Sequence, residues 1–209
     1  MATDATRAAL LDAAERLFLA QGYERVSVRA VNAGAGMNPA AVHYHFGTKE
    51  DLVAALLQSR LGPLWAEPLA QVERRAADGH PPDVRELVDV LVRPLDLLTA
   101  SPRGRMLMHL LARVVLRRRE LPFDAHWFGY APWSALLSAA RPELSRAEIG
   151  HRWRMTFDLL LQLYGEPLAA TAELGSVPRP PLDAVVSFVS AGLDGRDGLQ
   201  APPASPNTS

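Results

Sequence analysis

His43-Tyr44-His45 lies within ten residues of Gly34-Ala-Gly36 and Asn38-Pro39. Imidazoles in such a setting could ligate a metal, glycines could cradle a phosphate, or a short helix could present its side chains to a nucleic acid. On a helix, residues two apart point about 200° from one another, so His43 and His45 cannot share one ion. Gly34-Ala-Gly36 has no third glycine at position 39 and no strand pattern before it, so a dinucleotide-binding fingerprint fails. The chain has no Cys, hence no thiolate nucleophile, cysteine-ligated zinc or disulfide. Ser, His and Asp all occur, but no Gly-x-Ser-x-Gly elbow presents a serine for hydrolysis. The run Arg117-Arg-Arg119 reads as a cationic helix end that complements the helix dipole. No catalytic residue, cofactor or metal is called for, and the chemistry left is recognition.

The elements that must position these groups are helices throughout, with no period-2 strand pattern and no internal repeat. Leu10, Leu11, Ala14, Leu17 and Phe18 recur at helical spacing, and Gly22 closes that helix. Ser27 caps a second, short helix that reaches Ala33 and breaks at Gly34. Asn38-Pro39 opens a third, running from Pro39 to Phe46 and closed by Gly47. Thr48 and Asp51 approximate a capping box for a fourth helix, which Pro63 and Pro68 interrupt or redirect. Further helices are expected over 84–100, with a kink at Pro94, over 103–119, over the long stretch from Ser145 to about Glu173, and over 182–193. The segment from Leu174 to Pro181 reads as a linker. This gives an all-α fold with a helix-turn-helix domain over 1–47, a larger helical domain over 48–193 and a disordered tail over 194–209.

Hydrophobic residues make up 48% of the chain and charged ones 22%, enough apolar surface to order a globular protein. No apolar run reaches the length of a membrane span, and the N-terminus carries acidic residues inside its apolar pattern, unlike a secretory signal. A cytoplasmic protein with no membrane partner is expected. Net charge is −1, and residues 1–60 balance six basic against six acidic residues, so no global field advertises a nucleic-acid partner. Evidence for one must be local. Of 22 cations, Lys49 is the only lysine.

The stretch Ser27-Val-Arg-Ala-Val-Asn-Ala-Gly-Ala-Gly-Met-Asn-Pro-Ala-Ala-Val-His-Tyr-His-Phe-Gly-Thr-Lys-Glu-Asp-Leu52 closely resembles the DNA-binding signature of TetR-family transcriptional regulators. Ala13-Ala14, Leu17-Phe18 and Gly22-Tyr23 fit the same pattern, and the resemblance covers residues 6–57. It implies that Ser27 donates to a phosphate and Arg29 reads a base or groove. It also implies that Pro39, Ala40, His43 and Tyr44 face the major groove, with His45 and Lys49 as phosphate anchors; Asn38, on the same outer face by helical phase, is a further DNA-binding candidate. Three positions depart from the common pattern: Ala41 stands where a threonine often adds a contact, His43 where tyrosine is usual, and Asn32 where alanine is.

Beyond residue 60, polar groups set among aromatics and methionines suggest a small-molecule cavity. Candidate lining residues are Trp65, Met106, His109, Arg113, Trp127, Met155, Asp158 and Gln162. Arg113 on such a face would meet an anionic or carbonyl group of a ligand, or else a partner such as Asp158. The resemblance implies a homodimer that binds a palindromic double-stranded DNA operator, represses transcription and is released by an unidentified small apolar or amphipathic effector. The helices over 145–173 and 182–193 show more apolar groups than intrachain packing needs and would form the dimer interface. Two other classes stay open: an enzyme or carrier on a helical scaffold, and a regulator that answers to a protein and has a filled core.

Overall fold

The computed structural model describes residues 2–116, 126–165 and 179–195, with side chains from Asp4 onward. Among the described residues every regular element is helical. Helix α1 (Ala2–Gln21) buries Leu10, Leu11, Ala14 and Phe18 along one stripe and stops at Gly22, whose φ of 78° suits glycine. A single 3₁₀ turn, Tyr23–Arg25, leads to α2 (Val28–Gly34), where the Ser27 hydroxyl accepts from the Ala30 N–H at 3.1 Å. Helix α3 (Ala41–Phe46) ends at Gly47, with φ 88°. Helix α4 (Lys49–Ala77) opens with a complete capping box between Thr48 and Asp51.

Two expectations about these elements need correction. The third helix starts at Ala41 rather than Pro39, because Asn38 folds its own turn. Its carbonyl accepts from Ala41 N–H at 3.1 Å and its Oδ1 from Ala40 N–H at 3.0 Å. Pro63 and Pro68 do not interrupt α4, which runs unbroken through both. A proline inside a helix costs about 3 kcal/mol. Here Leu57, Leu61, Trp65, Leu69 and Val72 are all buried along that stretch, and burying side chains of this size contributes roughly 1.5–3 kcal/mol each. Tertiary packing outweighs the local preference.

The rest of the chain forms α5 (Val84–Thr99), α6 (Pro102–Leu116), a 3₁₀ turn at His126–Phe128, α7 (Tyr130–Ala140), α8 (Arg146–Gly165) and α9 (Leu182–Asp194). Pro94 lies within α5, and Ser145 with Glu148 caps α8 reciprocally. Helix α6 packs along α8, α9 along α5 and α8, and α7 against α8, α4 and α5. At the centre Trp153 stacks on Phe157 at 5.3 Å and meets Trp133 edge-on at 5.9 Å. Their indoles are satisfied by main chain, Trp133 donating to the Trp127 carbonyl and Trp153 to that of Trp133. The Arg117–Arg119 run, the expected continuation of the long helix to Glu173, most of the 174–181 linker and the tail from 196 lie outside the described residues. No helix among the described residues is long and apolar enough to cross a membrane.

Candidate nucleic-acid interface and effector cavity

Helices α2 and α3 are set against each other by a side chain rather than by the glycine turn alone. Asn32, 1% exposed, donates from Nδ2 to the Pro39 carbonyl at 2.6 Å and accepts at Oδ1 from the Val42 N–H at 2.9 Å. One amide thus braces both the approach to α3 and its first turn, while Val31, Ala41 and Val42 close the apolar side. The sequence marked Asn32 only as a departure from the TetR pattern. Its role depends on where α3 lies.

The opposite side of this unit is exposed. Ser27, Arg29, Asn38, Pro39, Ala40, His43 and Tyr44 all lie on the surface, and Tyr44 is 82% exposed. The Ser27 oxygen serves as cap acceptor, which leaves its hydroxyl hydrogen available to donate outward. His43 Nδ1 lies 2.9 Å from the Gly47 carbonyl oxygen. His45 is half-buried, its ring edge-on to Tyr44 and its carbonyl accepting from Arg7, whose guanidinium lies over the Phe46 ring.

Lys49 is placed differently from the expected outward anchor. Its ammonium donates to the Tyr23 carbonyl at 2.7 Å and sits 3.8 Å from the centre of the Tyr23 ring. Desolvation lowers its pKa, against the opposing pull of Glu24 and Glu50. The sole lysine therefore ties the start of α4 to the turn after α1, a contact spanning 26 residues. A phosphate would have to share or displace it.

A cavity of about 740 Å³ opens between α4, α5, α6, α7 and α8. Its walls include Trp65, Trp127, Trp133 and Phe157, with Met108, Leu111 and Val115 from α6 and His151, Arg154 and Asp158 from α8. Trp65 and Trp127 stack with centroids 5.0 Å apart. Three of the eight expected lining residues, Trp65, Trp127 and Asp158, are on this wall; five are not. Met106, His109 and Arg113 do share a stripe of α6, but the one turned toward the N-terminal unit, where they line a groove with Tyr23 and Glu24. Arg113 pairs with Glu24 and lies 4.7 Å from the Tyr23 ring centre, so neither a cavity ligand nor Asp158 is its partner. Asp158 instead accepts from Arg154 at 3.3 Å. Met155, 64% exposed, and Gln162 fall off the lining because a helix turns about 100° per residue. The sequence missed Trp133, Phe157, His151 and Arg154. Their 3–4 spacing on α8 with Asp158 was the available signal for the last three.

Between the two regions runs a charged seam. Glu15 on α1 accepts from Arg60 on α4 at 2.8 Å and from Arg103 on α6, and Asp12 also pairs with Arg60. Burial alone would raise the Glu15 pKa, but the two guanidinium hydrogen bonds and charges prevail and hold it below the usual value.

Two short helices joined by a braced turn, with an exposed polar and aromatic face, define a helix-turn-helix unit. Residues 10–56 match the family model described as bacterial regulatory proteins, tetR family. The likeness to that family is carried by the N-terminal helices. It is 37% identical over 87 residues to the transcriptional regulator BetI of Rhizobium meliloti, covering 42% of this chain and 40% of that one. Over 109 residues it is 32% identical to the regulator AcrR of Shigella flexneri, covering 51% and 47%. The matched sequence thus spans less than half the length of either relative. The fold extends further. SmeT, the repressor of a Stenotrophomonas maltophilia multidrug efflux pump, superposes over 99% of this chain and 98% of its own with a TM-score of 0.57 at 22% identity.

Proposed function

We propose that the protein is a transcriptional regulator that binds a palindromic DNA operator as a homodimer and is released from it by a small apolar or amphipathic molecule. The observation that carries this reading is the exposed face of Asn38, Pro39, Ala40, His43 and Tyr44, braced from behind by Asn32. A tyrosine so exposed on so short a helix favours a surface that another molecule covers. In this reading Ser27 and Arg29 contact the backbone and groove edge, His45 flanks them, and Lys49 holds the turn in register while lending its charge to the phosphates. The cavity favours a small-molecule effector over a protein signal, since its aromatic walls enclose room for a drug-sized ligand. Met155, Leu159 and Phe188 leave apolar surface on the neighbouring helices α8 and α9, which is where a two-fold mate would pack.

Selection of genomic fragments from the source organism by the purified full chain tests the reading. A palindromic consensus, with half-sites about one helical turn apart, is the expected result. Recovery of fragments without any shared sequence would overturn it. Trp65→Ala should bind the same operator and lose release by the effector found in a small-molecule screen. Normal release would remove the cavity from the account.

A further inference from the structure

On the exposed face of α3, the imidazole of His43 is tied at one nitrogen only. Nδ1 lies 2.9 Å from the Gly47 carbonyl oxygen, while the Gly47 N–H donates back to the His43 carbonyl at 3.0 Å. Gly47 holds φ 88° and ψ −79°, a conformation that L side chains rarely adopt, and this turn sets its carbonyl opposite the ring. A carbonyl oxygen can only accept, so Nδ1 carries the proton. The neutral ring then has a bare lone pair at Nε2. The two ring nitrogens point apart, so Nε2 is turned away from Gly47 and, with His43 exposed, is open to accept from a molecule docked on this face.

We infer that His43 selects, at one position of each half-site, a base bearing an exocyclic amino group in the major groove, adenine or cytosine, by accepting that amine at Nε2. The inference rests on α3 reading DNA as proposed above. Adenine N6 and cytosine N4 are the major-groove donors, whereas guanine O6 and thymine O4 are acceptors that would face the Nε2 lone pair. A phosphate oxygen is likewise an acceptor and offers this tautomer nothing. His43 is therefore a specificity residue, separate from the groups that supply affinity through the backbone. The tyrosine usual at this position has a hydroxyl that can both donate and accept. The histidine fixed by Gly47 narrows that choice to one sense.

The test uses the full chain and a random-sequence duplex pool. From the selected operator, each adenine or cytosine is replaced in turn by its analogue lacking the exocyclic amine. Unsubstituted protein should lose affinity about 5–10-fold at one symmetric position, the scale of a single hydrogen bond. His43→Ala should bind natural and analogue duplexes equally at that position, with an unchanged salt slope. Because the analogue series needs no variant, it stands even if His43→Ala weakens α3. Indifference of the wild-type protein to every amine deletion would overturn the inference, as would an amine dependence that His43→Ala leaves intact. A salt slope lowered by about one in His43→Ala would make the contact a phosphate contact and also overturn it. A pool that yields no selected sequence would refute DNA reading itself, a different result from an operator without amine dependence.

Discussion

Met108, Leu111 and Val115 turn one side of α6 toward an aromatic cavity, while Met106, His109 and Arg113 turn the other toward the N-terminal unit. The first side is governed by dispersion and burial. The second is governed by ion pairs, Arg113 with Glu24 and, at the start of the same helix, Arg103 with Glu15. A single helix thus borders two environments with separate sensitivities. Changes of apolar volume act on the cavity side, whereas salt and acid act on the seam. A displacement of α6 by a ligand would be felt at Tyr23, which already sits between the cations of Lys49 and Arg113.

The largest effect is expected on the apolar side. Trp153 is fully buried behind the cavity wall, stacked on Phe157 and against Trp133. Trp153→Ala should cost about 3–5 kcal/mol in urea denaturation, whereas Trp65→Ala, which borders existing empty space, should cost clearly less. Equal losses would mean that the cavity is filled in solution.

On the charged side, Glu15→Gln should cost about 2 kcal/mol, since two guanidiniums lose an ionised partner. Its folded pKa is depressed, so the contribution is complete above the unfolded carboxyl value and is lost as pH falls through the lower folded value. The wild type and Glu15→Gln should therefore converge in stability on acidification. A gap that persists to the lowest accessible pH would assign the loss to packing.

Asn32→Ala probes the unit that both sides serve. Removing its amide leaves the buried Val42 N–H and the Pro39 carbonyl without their partner, at about 1–2 kcal/mol. The proposed DNA affinity should fall by more than this stability loss explains, because α3 is no longer braced; unchanged affinity would show that the glycine turn suffices. The smallest effect is expected at Arg113→Met. Its partner Glu24 is largely exposed, so the pair contributes at most about 1 kcal/mol and should vanish in high salt. A larger, salt-independent loss would show that stacking on Tyr23 is the dominant contact.

Much of the helical plan was legible in local signals. Ser27, the Thr48–Asp51 box and the stops at Gly22 and Gly47 are legible because each acts through atoms no more than four residues apart. The exposed face of α3 is legible for the same reason, since helical phase separates His43 and Tyr44 from Val42. Met106, His109 and Arg113 do lie on one stripe, as their spacing requires. Which neighbour that stripe meets is not encoded in spacing.

Most helices, their caps and the composition of each helical face follow from local residues, because backbone hydrogen bonding and side-chain phase are set within a few residues. How each helix is rotated against its neighbours is settled by packing across the whole chain. That rotation sent Arg113 to Glu24, 89 residues away, rather than to Asp158, and Lys49 to Tyr23 rather than outward. It moved Met155 from the cavity to the surface and carried α4 straight through Pro63 and Pro68. The physical reason is one of range. A helix's register follows from its own residues, but its orientation minimises the exposed apolar area and unpaired charge of all the helices at once.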